Sequence, residues 1–192
     1  MAEVFDTITE IIKRRRSIFP ISYTDEVVPD EVIRQLLENA NYAPTHKLTE
    51  PWRFMVFRSA GKKRLGMELA RIYKVSTPAA LFLQKKHDSI TDKIDRASCV
   101  IVLNAQLNPD KVPEWEEIAA LACAVQNMAL TAEALSVGAY WSSPELISGL
   151  NDFLELSNNE KCFGLFYLGY HKEEPRPANR TPIASKVKWI ED

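Results

Sequence analysis

The stretch that most limits what this chain can fold into runs from Trp115 to Pro144, WEEIAALACAVQNMALTAEALSVGAYWSSP. Between Glu116 and Ser136 it holds no proline or glycine and is dense in Ala and Leu. Its acidic residues Glu116 and Glu117 come first, where a helix dipole favours negative charge. A helix of that length spans about 30 Å. Ile118 to Val125 is an unbroken apolar run, so this helix needs protein cover on both faces rather than along one stripe, and should be buried nearly all round. Gln126, Asn127 and Glu133 break the apolar content that a membrane span requires, which makes it a core helix. Gly138 suits its C-terminal cap, and Ala139, Tyr140 and Trp141 read as a short buried strand entering the Ser142-Ser143-Pro144 turn.

A buried helix of this size needs one well-developed core, and 192 residues with 46% hydrophobic content supply one, in a single domain over residues 1–192. The net charge of -2 argues against nonspecific binding to nucleic acid or to an anionic membrane, so any basic site is local. Cys99, Cys123 and Cys162 all sit in apolar runs without C-x-x-C spacing, which points to buried free thiols in a reducing compartment and to neither a disulfide framework nor a zinc site. The opening MAEVFDTITE lacks the basic and apolar regions of a secretory signal, and a cytoplasmic location is expected.

Ile8, Ile11 and Ile12 recur at helical spacing behind Asp6, a candidate N-cap, and this helix runs into Lys13, Arg14, Arg15, Arg16 and Ser17. Four cations followed by a hydroxyl fit either a solvated helix end, favoured by the dipole, or an anion site in which guanidinium forks and the Ser17 hydroxyl hold a phosphate. Pro29, Asp30 and Glu31 open a second helix with Val32, Ile33, Leu36, Leu37 and Ala40 inward, ending near Asn41. The loop Tyr42 to Pro51 has site-like content, an aromatic, a His and a Lys between two prolines. Trp52 to Phe57, WRFMVF, reads as a strand too apolar for an open edge. A surface helix is expected over Lys62 to Tyr73, two short helices between Ser76 and Arg96, and a buried strand at Cys99 to Leu103. Beyond the central helix, one more helix is expected over Pro144 to Asp152 and a strand over Cys162 to Gly169. The Pro- and Arg-rich tail from Glu173 to Thr181 runs over the surface, and Val187 to Ile190 has strand character suited to reaching another subunit. This order predicts an α+β layered fold with a mixed central sheet flanked by helices.

The six glycines form neither G-x-G-x-x-G nor a Walker loop, and there is no nucleophile elbow, no H-E-x-x-H and no convincing carboxylate pair. An enzyme built on this chain must borrow its chemistry from a bound cofactor.

Four stretches, RRRSIF, YAPTHKLTEPWRF, KVPEWEEIAALACAVQNMALTAEALSVGAYW and FGLFYLGY, together resemble the FMN-dependent nitroreductase family, in particular its short single-domain bacterial branch. The resemblance implies a three-layer fold, an intertwined homodimer with two FMN sites at the subunit interface, and no nucleic-acid or membrane partner. It places the FMN phosphate on Arg15, Arg16 and Ser17, brings Tyr42 and His46 toward the flavin, and adds Trp141, Ser142 and Ser143 from the end of the central helix. Thr131 to Ser136 match a portion the family assigns to the nicotinamide nucleotide, and Arg180 or Lys186 stand where relatives carry further phosphate ligands. Tyr42 and Ser142 depart from relatives that carry basic residues there. The implied activity takes hydride from NADH or NADPH and reduces a nitroaromatic, a quinone or a related small acceptor by a ping-pong mechanism. Two alternatives stand beside it, a non-catalytic flavin-binding dimer and an enal or semialdehyde reductase. Solvent can supply the proton, so no catalytic side chain and no metal ligand is assigned.

Overall fold

The computed structural model describes residues 2–191, and its centre is a four-stranded sheet with a helical layer on each face. The helices are α1 (Ala2–Arg14), α2 (Asp30–Asn41), α3 (Ser59–Ser76), α4 (Gln84–Arg96) and α5 (Glu114–Ala134). The strands are β1 (Trp52–Phe57), β2 (Cys99–Gln106), β3 (Gly138–Ser142) and β4 (Glu160–Gly169), in the spatial order β1-β2-β4-β3. Every neighbouring pair is antiparallel, which corrects the expectation of a mixed sheet. Two helices, α3 and α4, separate β1 from β2 and return the chain to the end it left, so the second strand runs back. β2 and β3, joined by the single helix α5, do run parallel, but β4 is inserted between them.

Strand residues alternate between two cores. Cys99, Ile101 and Leu103 pack with Leu36, Leu121, Val125 and Met128 on the α2/α5 side, while Val100 and Val102 pack with Leu65, Leu69, Ile94 and Leu150 on the α3/α4 side. β1 is an edge strand after all. Its apolar sequence reflects cover on both faces, and that cover says nothing about whether the edge is paired. Val56 is left 42% exposed.

Several local expectations also shift. Asp6 lies inside α1 rather than capping it, because the helix begins earlier. Between Ser76 and Arg96 there is one 3-10 turn, Ala79–Leu81, and one full helix, and the helix expected from Pro144 is the 3-10 segment Glu145–Gly149. Gly138 does not cap α5. Ser136 takes the left-handed position at φ 56°, and Gly138 opens β3, where an added Cβ would come within 2.9 Å of the Tyr23 ring. Val187 to Ile190 are extended and exposed, without a strand partner among the described residues.

α5 is not covered all round within one chain. Ala120, Leu121, Ala124, Val125 and Met128 are buried, whereas Ala119, Cys123 and Gln126 are exposed and Trp115 is 67% exposed. Cys123 is therefore an exposed thiol, against expectation, and only Cys99 is fully buried. Buried Glu117 anchors the front of the helix by accepting from the Asn108 backbone N–H at 2.7 Å and its side-chain amide at 2.8 Å. No helix among the described residues is long and apolar enough to cross a membrane.

Candidate functional site

α1 ends at Arg14, and the chain then runs extended along the outer edge of β3, where the Ile18 N–H donates to the Ala139 carbonyl at 3.0 Å. Arg16 folds back on the helix it follows. Its Nη1 donates to the carbonyls of Lys13 (2.6 Å), Arg14 (3.0 Å) and Arg15 (2.8 Å), the oxygens a helix C-terminus leaves without partners. Its Nε donates to the Arg176 carbonyl at 3.0 Å. Among the described residues the half-buried Arg15 guanidinium and the Ser17 hydroxyl make no side-chain hydrogen bond and no ion pair, so both keep their full donor capacity. Arg14 differs, since its Nε pairs with Glu133 at 3.0 Å.

The tail supplies a cation that sequence reasoning missed. Arg176 donates from Nη2 to the Ser17 carbonyl at 3.0 Å and lies 3.8 Å from Glu173. Arg14, Arg16 and Arg176 line a cleft of about 160 Å³ with Glu133, His171 and Glu173. Arg180 and Lys186 are not at this place. Their side chains bond locally, to the carbonyls of Asn179 at 2.8 Å and Thr181 at 3.4 Å. The only sequence signal for Arg176 was its position between Pro175 and Pro177, which stiffens the backbone but names no target.

Trp141, Ser142 and Ser143 sit further along the same edge. Phe19 packs its ring 4.5 Å from that of Tyr140, tying the segment after Ser17 to β3. The Trp141 indole N–H donates to the Phe163 carbonyl at 3.2 Å and lies over Gly164, beside an irregularity where Leu103 pairs with Gly164 and Asn104 already with Cys162. Ser142 is half-buried and pairs with Leu165, and Ser143 is exposed. Beneath, Tyr23 shares its hydroxyl hydrogen between the carbonyls of Ile18 at 2.9 Å and Tyr167 at 3.1 Å. Burial, helped by Tyr167 and Glu173 nearby, pushes this phenol's pKa upward and keeps it a donor.

Tyr42 and His46 are elsewhere. Tyr42 follows α2 and is 78% exposed. The loop after it is held by a 3.1 Å Thr45–Thr49 hydroxyl contact and by Lys47, which donates to the Lys111 carbonyl at 2.7 Å. It carries positive φ at Lys47 (50°), Leu48 (52°) and Glu50 (42°), a cluster of left-handed non-glycine residues that costs on the order of 1 kcal/mol or more at each. Such strain concentrates at working loops. His46 Nδ1 lies 2.5 Å from Glu116 in the first turn of α5, whereas Arg14 pairs with Glu133 in its last turn. These two glutamates are seventeen residues apart, about 25 Å along the helix. The fold thus sets Arg15, Arg16 and Ser17 on the same β3 edge as Trp141, Ser142 and Ser143 and leaves His46 at the far end of α5, while Tyr42 follows Asn39, which bonds Asn127 and Thr131 in the C-terminal half of that helix.

Thr131, in the portion matched to nicotinamide binding, donates its hydroxyl to the Asn127 carbonyl and accepts from the Asn39 amide, both at 2.8 Å. Ala132 is buried, and Ser136 lines the cleft shared by Arg14, Arg16 and Arg176. The described residues hold no cluster of three or more His, Cys, Asp or Glu side chains that could bind a metal ion.

The model of the "Nitroreductase family" matches residues 12–170, most of the chain. The chain belongs to the nitroreductase family. This nitroreductase is 31% identical over 180 residues to the candidate NAD(P)H nitroreductase YfhC of Bacillus subtilis (strain 168), covering 92% of this chain and 91% of that one. It is 28% identical to the candidate NAD(P)H nitroreductase YdjA of Escherichia coli (strain K12), over 83% of this chain and 86% of that one. Among solved structures, the nitroreductase-like family protein from Bacillus cereus superposes with a TM-score of 0.82 at 26% identity, covering 96% of each chain. A candidate nitroreductase from Desulfovibrio desulfuricans, solved in complex with FMN, superposes with a TM-score of 0.71 at 27% identity, again covering 96% of each.

Proposed function

We propose that this nitroreductase is an FMN-dependent oxidoreductase that takes reducing equivalents from NADH or NADPH and passes them, by a ping-pong mechanism, to small electrophilic acceptors such as nitroaromatics or quinones. The observation that carries the reading is the donor set at the end of α1. Among the described residues Arg15 and the Ser17 hydroxyl have no protein acceptor, and they stand beside Arg16 and Arg176, whose cationic charge converges on the same short segment. Guanidinium forks and a hydroxyl are the groups that hold a phosphate monoester. The names of YfhC and YdjA and the FMN bound to the Desulfovibrio protein support the same choice.

Bound here, FMN would supply hydride chemistry between the nicotinamide and the acceptor, which no side chain of this chain can perform. The chain's own residues bind and orient. Arg15, Arg16 and Ser17 hold the phosphate, and Trp141, Ser142 and Ser143 border the ring from the β3 edge. His46 reaches it only from a second protomer, because within one chain α5 keeps it about 25 Å from the arginines. The working unit is therefore a homodimer in which each flavin is shared. The three free thiols support a cytoplasmic, reducing location.

The experiment is a titration of the purified protein with FMN and FAD, followed by steady-state oxidation of NADH and NADPH against a panel of acceptors. A yellow protein that releases FMN on heating and turns over with at least one acceptor is expected. Colourless protein with no saturable FMN binding would overturn the reading, and flavin binding without nicotinamide oxidation would leave a flavin carrier in place of an enzyme.

A further inference from the structure

Resting on the flavin reading, we infer that the acceptor this nitroreductase favours is an aromatic ring carrying a carboxylate, and that Lys86 is the residue that selects it. An acceptor has to lie against the flavin, so its site adjoins the residues that border the ring. Trp141, Ser142 and Ser143 form that border from β3, and Pro144 is the next residue. There the chain opens a cleft of about 580 Å³ between the end of α3 and the 3-10 segment Glu145–Gly149, a volume within the range of small-molecule sites.

The walls of this cleft are apolar at Ile72 and Leu146 and polar at Ser76, Thr77 and Lys86. After α3 the chain folds back, so that the Leu83 N–H donates to the Tyr73 hydroxyl at 3.0 Å. That closure sets Lys86, in the first turn of α4, over the Tyr73 ring, with Nζ 5.1 Å from its centre. Among the described residues Lys86 Nζ has no acceptor. The acid closest to it in sequence, Asp88, is taken by Gln84 at 2.7 Å and His87 at 3.1 Å. The hydroxyls of Ser76 and Thr77 have no partner among the described residues either. An ammonium with three unspent donors beside two unspent hydroxyls holds an oxyanion, and the apolar walls take a ring. Glu145, exposed and without an ion pair among the described residues, repels an anion from the 3-10 segment, which leaves the carboxylate its place at Lys86.

The test pairs 4-nitrobenzoate with its methyl ester, which share the reducible group and differ in charge. In the FMN-loaded parent the KM for the acid should lie below that for the ester by about fivefold or more. Lys86→Gln should bring the ratio close to one by raising the KM for the acid, and Lys86→Arg should restore it. Lys85→Gln removes a neighbouring exposed cation that does not line the cleft, and should leave the ratio as in the parent. Calorimetric titration with benzoate reads the same contact without turnover, and Lys86→Gln should weaken that binding by about fivefold or more. Equal KM values for acid and ester in the parent, a preference that survives Lys86→Gln, or one lost equally in Lys85→Gln would overturn the inference. Protein that binds no FMN would refute the flavin reading alone. The benzoate titration then still decides the cleft, since binding unchanged by Lys86→Gln overturns Lys86 as the anchor and binding weakened by it upholds that role.

Discussion

Gly164 is the position where one methyl group should do the most damage. Its φ of +154° disfavours any other residue, and a Cβ added there would lie 2.1 Å from Trp141 Nε1, 2.7 Å from Trp141 Cδ1 and 2.8 Å from the Ser142 carbonyl. The indole can swing away only by giving up its 3.2 Å hydrogen bond to the Phe163 carbonyl, worth about 1 kcal/mol net. The Ser142 carbonyl belongs to the β3–β4 ladder and cannot swing. Overpacking against backbone adds about 1–3 kcal/mol. Gly164→Ala should therefore lose about 2–4 kcal/mol, which lowers the urea midpoint by about 1 M at the slope expected for a domain of this size. The matched control is Gly61→Ala in α3, where the nearest atom to the new Cβ is Phe57 Cδ1 at 3.7 Å and the helix gains from losing a glycine. Unfolding by urea at fixed protein concentration compares the three proteins. A Gly164→Ala midpoint equal to the parent's, or an equal loss in Gly61→Ala, would refute the reasoning. If the flavin site is as proposed, Gly164→Ala also weakens FMN binding, because Trp141 and Ser142 move together.

Arg15→Ala should weaken FMN binding by roughly 2–4 kcal/mol with little effect on folding, and flavin titration giving equal affinity would return Arg15 to the role of a solvated helix end. Stability should fall in alkali. Burial holds the Cys99 thiol up at about 12 and Cys162 at about 11, against an ordinary 9.0, so the unfolded chain ionises first. The stabilisation is complete below about pH 9 and declines as pH rises through the native values, with Tyr23 and Tyr167, also raised by burial, adding to the loss from about pH 10. A urea midpoint flat between about pH 8 and pH 11 would contradict this. Deleting the chain from Lys186 onward removes Trp189 and Ile190, 82% and 79% exposed within one chain, and should loosen dimer and FMN together. Sedimentation showing an intact, flavin-loaded truncated dimer would detach the tail from the interface.

Much of the layering was legible because it depends on local periodicity. WRFMVF, CVIVL and FGLFYLG are strands, and the Ala-rich run is the central helix with its glutamates in the first turn. Strand direction and order were not legible. They depend on whether one helix or two intervene between strands and on β4 inserting between β2 and β3, which no local pattern records. Apolar content likewise misled at β1, since it measures cover on the faces and not pairing at the edge. The cap of α5 was assigned to the nearest glycine, but Ser136 adopts the left-handed conformation and Gly138 is reserved for the Tyr23 ring. Of the candidate site, the arginine-serine segment was legible as composition. That Arg16 spends three hydrogen bonds capping its own helix, leaving Arg15 as the freer cation, is a matter of side-chain direction. Arg176 reaches Ser17 across 159 residues of sequence, and only the folded tail brings it there.

Tyr23 has a bearing on affinity that its burial alone does not convey. Its hydroxyl clips the Ile18 carbonyl to the Tyr167 carbonyl of β4, and its ring is wedged against Gly138 and Gly169, where added Cβ atoms would meet it at 2.9 Å and 2.5 Å. The backbone that follows Ser17 is thus immobilised from below before any anion arrives. The conformational entropy of ordering that stretch is lost during folding and is not deducted from the binding free energy. Removing the clip with Tyr23→Phe would leave every guanidinium in place and still let the segment wander, so that the ligand would have to order its own receptor.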